Sequence, residues 1–230
     1  MARVLITGAG RGIGLQLVKE FIERGHEVIG TVRSLQGKEN INRLSEECGR
    51  EVEVYEVEVT SKESVEQFSN HLNNREIDIL INNAGVIGGD NQEVTGFDFA
   101  EWSKTFEVNA VSPMRMTLSL LPAIRQSQKP KIVTISSIMG SLARERTGSI
   151  AYRSSKAAVN KAMQCLALEL KSEGIGVYLM HPGWVRTEMG GPEADISVEE
   201  SAAGIAQTIL TFTIEDSAKF WQYDGALLEW

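Results

Sequence analysis

Little in this sequence suits metal or disulfide chemistry. Only two cysteines are present, Cys48 and Cys165, far apart and in no metal-ligand spacing. Two free thiols in a reducing compartment is therefore the expectation. The three histidines, His26, His71 and His181, are well separated, and no metal site is expected. Basic charge is in deficit: 23 Lys and Arg against 31 Asp and Glu give a net charge of −8, with the cations scattered. That argues against non-specific binding to nucleic acid or to an anionic membrane. Long apolar runs are absent too, none approaching the ~20 residues a membrane span requires. The first strand pattern starts by residue 3 and leaves no room for a signal peptide, so a cytoplasmic protein is expected.

What remains is an ordinary globular composition, 42% hydrophobic and 23% charged over 230 residues. That length suits one α/β domain, 1–230, with little left for a second. Val4, Leu5 and Ile6 form a short apolar run of the kind buried in parallel sheets. Gly8, Gly10, Gly12 and Gly14 follow. Ile13, Leu17, Val18, Phe21 and Ile22 then recur at helical spacing, up to a stop at Gly25. A strand, a glycine turn and a helix place backbone N–H groups and a positive helix end against a pyrophosphate. Glycine allows that approach because it has no Cβ to clash. The G-x-G-x-x-G fingerprint is not met, since its third glycine falls on Ile13 or Leu15. The spacing is T-G-x-x-x-G-x-G, and alone it is also compatible with a tight turn that binds nothing.

Residues 27–32 read as a second strand. An NAD site carries an acid at this strand's end, whereas this strand runs into Arg33, with Arg11 a second nearby base. Two guanidinium groups suit the 2′-phosphate of NADP, which a carboxylate would repel. The alternative is a pair of solvated surface arginines. A helix is expected over 38–49, a strand over 52–59, and a helix start capped by Thr60 or Ser61. A strand over 77–81 runs into Asn82-Asn83-Ala84-Gly85, and residues 86–100 read as a loop at the site mouth. A helix over 101–125, interrupted near Pro113, carries Asn109, which is also readable as an exposed polar residue or a kink partner. A strand over 131–136 ends in Ser136-Ser137. Tyr152 and Lys156, four apart, share one face of a helix running to about residue 172. An ammonium beside a phenol favours the phenolate. A strand over 176–180 leads into His181-Pro182-Gly183-Trp184-Val185-Arg186-Thr187, with His181 read as a packed strand-end residue rather than a catalyst. A last helix over 198–212 and a strand over 218–223 complete the pattern.

Taken together, these motifs resemble the short-chain dehydrogenase/reductase family over essentially the whole chain. YRSSKAAVN, HPGWVRTEMGGPEA and FWQYDGALLEW look closest to the branch of sniffer-type carbonyl reductases and C-factor-like proteins. The resemblance implies an α/β Rossmann-type doubly wound domain, its central parallel sheet of about seven strands flanked by helices. It implies NADP(H) held by Gly8, Arg11, Gly12, Ile13 and Gly14 in the first turn and by Arg33 after the second strand. Glu58 and Val59 stand where the family has D-V-T beside the adenine. Asn82, Ala84 and Gly85 belong to N-N-A-G, and Val185 and Thr187 to P-G-x-V-x-T under the nicotinamide. The catalytic roles implied are Ser137, rather than Ser136, as hydrogen-bond donor to the substrate carbonyl, and Tyr152 as acid/base. Lys156 lowers the phenol pKa and binds ribose, and Asn109 serves a proton relay.

The substrate implied is a small-molecule aldehyde or ketone. With only ten residues between Thr187 and Val198, the substrate site is expected to be open or shallow. No nucleic-acid or membrane partner is implied. A dimer or tetramer is, through helices 101–125 and 152–172, the second of which has more apolar surface than one face needs. The alternative is a signalling or redox-sensing binder of C-factor type with little turnover. Four occupied catalytic positions favour the enzyme.

Overall fold

The first apolar run forms β1 (Arg3–Thr7), whose side chains alternate between two cores. Val4 and Ile6 face one side and Leu5 the other, as the two-residue period of extended backbone requires. The computed structural model describes residues 1–92 and 94–230; Glu93, inside the loop expected over 86–100, lies outside the described residues. After β1 come α1 (Gly12–Glu23), β2 (Glu27–Val32), α2 (Leu35–Cys48), β3 (Glu53–Glu56), α3 (Lys62–Leu72) and β4 (Ile79–Asn82). The second half adds α4 (Phe99–Phe106), α5 (Ser112–Ile124), β5 (Lys131–Ile135), α6 (Ile150–Leu170) and β6 (Gly176–His181). It ends with α7 (Val198–Thr211), β7 (Phe220–Gln222) and β8 (Leu227–Leu228).

The strands make one sheet in the order β3-β2-β1-β4-β5-β6-β7-β8. Neighbours from β3 through β7 pair in parallel, and β8 pairs antiparallel with β7. The sheet therefore has one strand more than the expected seven, because β8 is too short to show alternation in sequence. One face is covered by α1 and α7 with Ile41 of α2, and the other by α3, α5 and α6. Strand order reverses between β1 and β4, which opens a crevice at the carboxyl ends of the strands.

Two local departures from expectation have plain causes. The helix expected over 101–125 is divided by a π turn at Glu107–Val111. Pro113 has no N–H to offer the carbonyl of Asn109 four residues back, so the ladder cannot continue there unchanged. The Ser112 hydroxyl donates to the Glu107 carbonyl at 2.7 Å within the widened turn. The strand expected over 52–59 ends at Glu56, and the chain then turns into α3, where Ser61 accepts from the Ser64 N–H. Among the described residues, no helix is long and apolar enough to cross a membrane.

Phe21 is fully buried between α1 and the sheet. Phe21→Ala is expected to cost about 3–5 kcal/mol of stability, read as a lower urea midpoint at unchanged slope. A loss near zero would contradict this packing.

Candidate active site

Loops leaving the carboxyl ends of β1, β4 and β5 converge on α6, and short polar side chains lock them together. Thr7 accepts through its hydroxyl from the backbone N–H of Asn83 (3.0 Å) and of Ala84 (3.1 Å). The Asn83 amide donates in return to the carbonyls of Thr7 (2.9 Å) and Gly8 (3.1 Å). Gly8, at φ 64°, lies so close to β4 that a Cβ would stand 2.9 Å from the Ala84 Cα. Gly12, at φ 53°, is open by comparison, a Cβ there meeting Thr187 at 3.6 Å. No side chain caps the N-terminus of α1, whose N-cap is Arg11. Gly12, Ile13 and Gly14 thus begin a helix with free N–H groups and a positive end at the crevice, which fits a pyrophosphate.

The remaining expected cofactor positions are arranged around this turn. Arg33 is exposed beyond the end of β2. Arg11 is paired with Glu188, which follows Thr187, and both side chains are largely exposed. The Glu58 carboxylate accepts from the Thr60 hydroxyl (2.7 Å) and N–H (3.1 Å), so it is held locally, with Val59 buried beside it. Asn82 is buried at the end of β4 and donates to the Thr117 hydroxyl at 3.0 Å. Val185 is buried, and its carbonyl accepts from the Thr187 hydroxyl at 3.3 Å. The Gly190 N–H donates to that same hydroxyl at 3.0 Å. The segment after β6 turns tightly at Thr187–Gly190 and returns so that Ile196 pairs in parallel with Val185.

The four expected catalytic residues come together at the edge of β4, β5 and α6. Asn109, from the π turn, is buried; its amide donates to the Val86 carbonyl (2.8 Å) and the Ser155 hydroxyl (3.0 Å). Its own carbonyl oxygen accepts from the Val86 N–H at 2.9 Å. Both ends of the amide are thus engaged, and Pro113 offers no N–H to the Asn109 main-chain carbonyl. Lys156 is buried and donates from Nζ to the Ile135 carbonyl at 3.0 Å, 5.7 Å from the centre of the Tyr152 ring. Burial pushes its ammonium down to about 8. The two strand-end serines have separate tasks. Ser136 donates to Asn160 at 2.5 Å inside the core, whereas the Ser137 hydroxyl stands near the Tyr152 phenol and accepts from the Met139 N–H at 3.1 Å, its own proton left to donate. Burial raises the phenol pKa and the nearby Ser137 hydroxyl opposes that rise, so the net direction in the protein alone is upward rather than toward the phenolate.

Sequence reasoning overlooks two residues here. Ser155 sits between Tyr152 and Lys156 and joins Asn109 to the Tyr152 carbonyl, to which it donates at 2.7 Å. A small polar residue in mid-helix was its only signal. Gly140 lets the loop after β5 press against α6, since a Cβ there would stand 2.7 Å from the Lys156 carbonyl carbon. It follows the serine pair by three residues, and nothing in the spacing alone reveals the contact.

Residues 2–196 match the short chain dehydrogenase family. The chain is 40% identical to the C-signal protein of Myxococcus xanthus, over 67% of its own length and 93% of that protein's. It also superposes on the carbonyl reductase Sniffer of D. melanogaster with a TM-score of 0.92 at 30% identity, covering 100% of both chains. A carbonyl reductase from Pseudomonas aeruginosa PAO1 in complex with NADP gives 0.86 at 35% identity, again over 100% of both chains.

His181, at the end of β6, is buried and its Nδ1 has no partner among the described residues. Burial first, and the charge of Arg144 second, push its imidazole down to about 4, against a pull upward from Asp224. The folded value lies below the unfolded value of 6.5, so the unfolded chain takes the proton first as pH falls. The stability it contributes is complete above about pH 6.5 and is lost toward pH 4, by on the order of 3 kcal/mol. His181→Gln should therefore lose less stability than the native protein between about pH 7 and pH 4 in urea unfolding. Parallel losses would contradict this.

Proposed function

The chain belongs to the short-chain dehydrogenase family, and on that premise we propose that it reduces aldehydes and ketones to alcohols with NADPH. Residues 1–230 then serve as one NADP-binding domain. The observation that carries the reading is the meeting of Ser137, Tyr152 and Lys156 at the crevice beside the uncapped start of α1. When bound, NADPH supplies the hydride. Ser137 donates its hydroxyl proton to the substrate carbonyl, and Tyr152 gives its proton to the developing alkoxide. Lys156 holds the ribose and favours the phenolate left behind. Asn109 keeps Val86 and Ser155 in place, and its main-chain carbonyl, to which Pro113 cannot donate, holds the water that returns the proton. Because the protein, with Lys156 in place, raises the phenol pKa, the further lowering needed for the reverse reaction falls to the positive charge of oxidised nicotinamide.

Preference for NADPH is assigned to Arg33 and Arg11. The Arg11–Glu188 pair does not oppose this strongly, since exposed ion pairs are worth about 0–1 kcal/mol. A doubly charged phosphate can take the guanidinium from a single exposed carboxylate. The NADP complex of the Pseudomonas aeruginosa carbonyl reductase supports the same choice. Self-association is assigned to α5 and α6, where Leu118 and Leu168 are 52% and 65% exposed.

The test is NADPH oxidation against a panel of aldehydes, ketones and diketones. Turnover should occur in the native protein and fall by at least about a hundredfold in Tyr152→Phe and Ser137→Ala. NADPH should bind more tightly than NADH, and Arg33→Ala should narrow the difference. NADPH binding without turnover on any carbonyl would favour a binder over a reductase. Light scattering at micromolar concentration should give a dimer or tetramer, and a monomer would remove the α5/α6 assignment.

A further inference from the structure

α6 carries the two residues most central to the proposed chemistry, yet it begins without a cap of its own. Its N-cap residue, Ser149, is left-handed at φ 52° and makes no side-chain capping bond. The first N–H groups of a helix need acceptors. Here they find one residue from a distant loop. The Gln92 side-chain oxygen accepts from the Tyr152 N–H at 3.0 Å, and its main-chain carbonyl accepts from the Ile150 N–H at 3.4 Å.

The other half of the same amide organises the loop that follows β4. Gln92 Nε2 donates to the carbonyls of Ile87 and Gly89, each at 2.8 Å. Gly88 passes around it at φ 91°, where a Cβ would stand 3.2 Å from that nitrogen and 2.8 Å from the Thr105 hydroxyl. The Gln92 side chain is nine-tenths buried, and both ends of its amide are used. Asn109 fastens the start of the same loop at Val86 and reaches α6 through Ser155. Two amides therefore tie the loop over 86–92 to the catalytic helix, one at each end.

We propose that Gln92 is the cap of α6 and a positioning residue for Tyr152, coupling the order of the loop after β4 to the placement of the phenol. This rests on the reductase reading for its catalytic consequence, though not for its structural one. An amide suits the task where other caps do not. Serine would not reach, and a carboxylate would repel the carbonyls of Ile87 and Gly89. Without Gln92 the first turn of α6 frays, and Tyr152 moves relative to Ser137 and Lys156. Displacements of about 1 Å at a reacting group cost up to about a hundredfold in rate.

The test uses Gln92→Met, which keeps the size and removes the side-chain bonds, with Asn91→Ala, an exposed neighbour, as control. In Gln92→Met, kcat should fall about tenfold or more, while KM and the NADPH Kd stay within about twofold. The ultraviolet titration of Tyr152, obtained by difference against Tyr152→Phe, should move toward the ordinary tyrosine value of about 10. Asn91→Ala should leave all of these unchanged. An unmoved titration, kcat within about twofold of native, or a loss in KM alone would overturn the proposal. If Gln92→Met does not fold, Gln92→Asn, which keeps the amide but shortens its reach, carries the same readings. If the native protein turns over no carbonyl, the reductase reading fails by itself, and the Tyr152 titration still decides the role of Gln92.

Discussion

A lysine ammonium buried at the end of a parallel sheet is the constraint on which the rest of this site depends. Lys156 donates to one strand-end carbonyl, and its pKa falls to about 8 because burial disfavours the charge. Isolated buried charge is expensive, and the surroundings are shaped to tolerate it. Gly140 and Gly85 bring backbone close to the lysine, where a Cβ at Gly85 would already lie 3.6 Å from Nζ. The Ile135 carbonyl is available because β5 ends there. A lysine held this way can take or release a proton near neutral pH, which suits a partner of a reacting phenol better than a surface lysine would.

From that constraint the architecture reads outward. The strand order reverses between β1 and β4, so the crevice has one wall from the glycine turn and the other from the loops after β4, β5 and β6. Thr7 and Asn83 join the end of β1 to the loop after β4, and the π turn at Glu107–Val111 brings Asn109 against Val86 and α6. None of these groups has to be mobile to meet, since each sits at the end of an element buried in one of the two cores. The short loop after β6 leaves Trp184 half exposed, consistent with an accessible mouth.

Much of this was legible in the sequence because it depends on local chemistry. The glycine turn, the alternating β1 run and the Tyr152–Lys156 spacing each follow from backbone geometry that a few neighbouring residues determine. Ser137 could be preferred over Ser136 only by resemblance, and the structure adds the physical reason, Ser136 being committed to Asn160. The roles of Gly140, Ser155 and Gln92 were not legible, because each acts on a residue brought near by tertiary packing. The Arg11–Glu188 pair joins positions 177 apart, and no local pattern announces it. The upward direction of the Tyr152 pKa was also hidden, since a Tyr/Lys spacing reports proximity and says nothing of burial.

The central claim is that hydride passes from NADPH to a carbonyl carbon at this cluster. Its most direct test is reduction with NADPH deuterated at both C4 positions, followed by mass spectrometry and NMR of the alcohol. The account predicts one deuterium on the carbinol carbon, with the yield of labelled alcohol falling at least about a hundredfold in Tyr152→Phe. NADPH consumption that leaves the carbinol carbon unlabelled would contradict it.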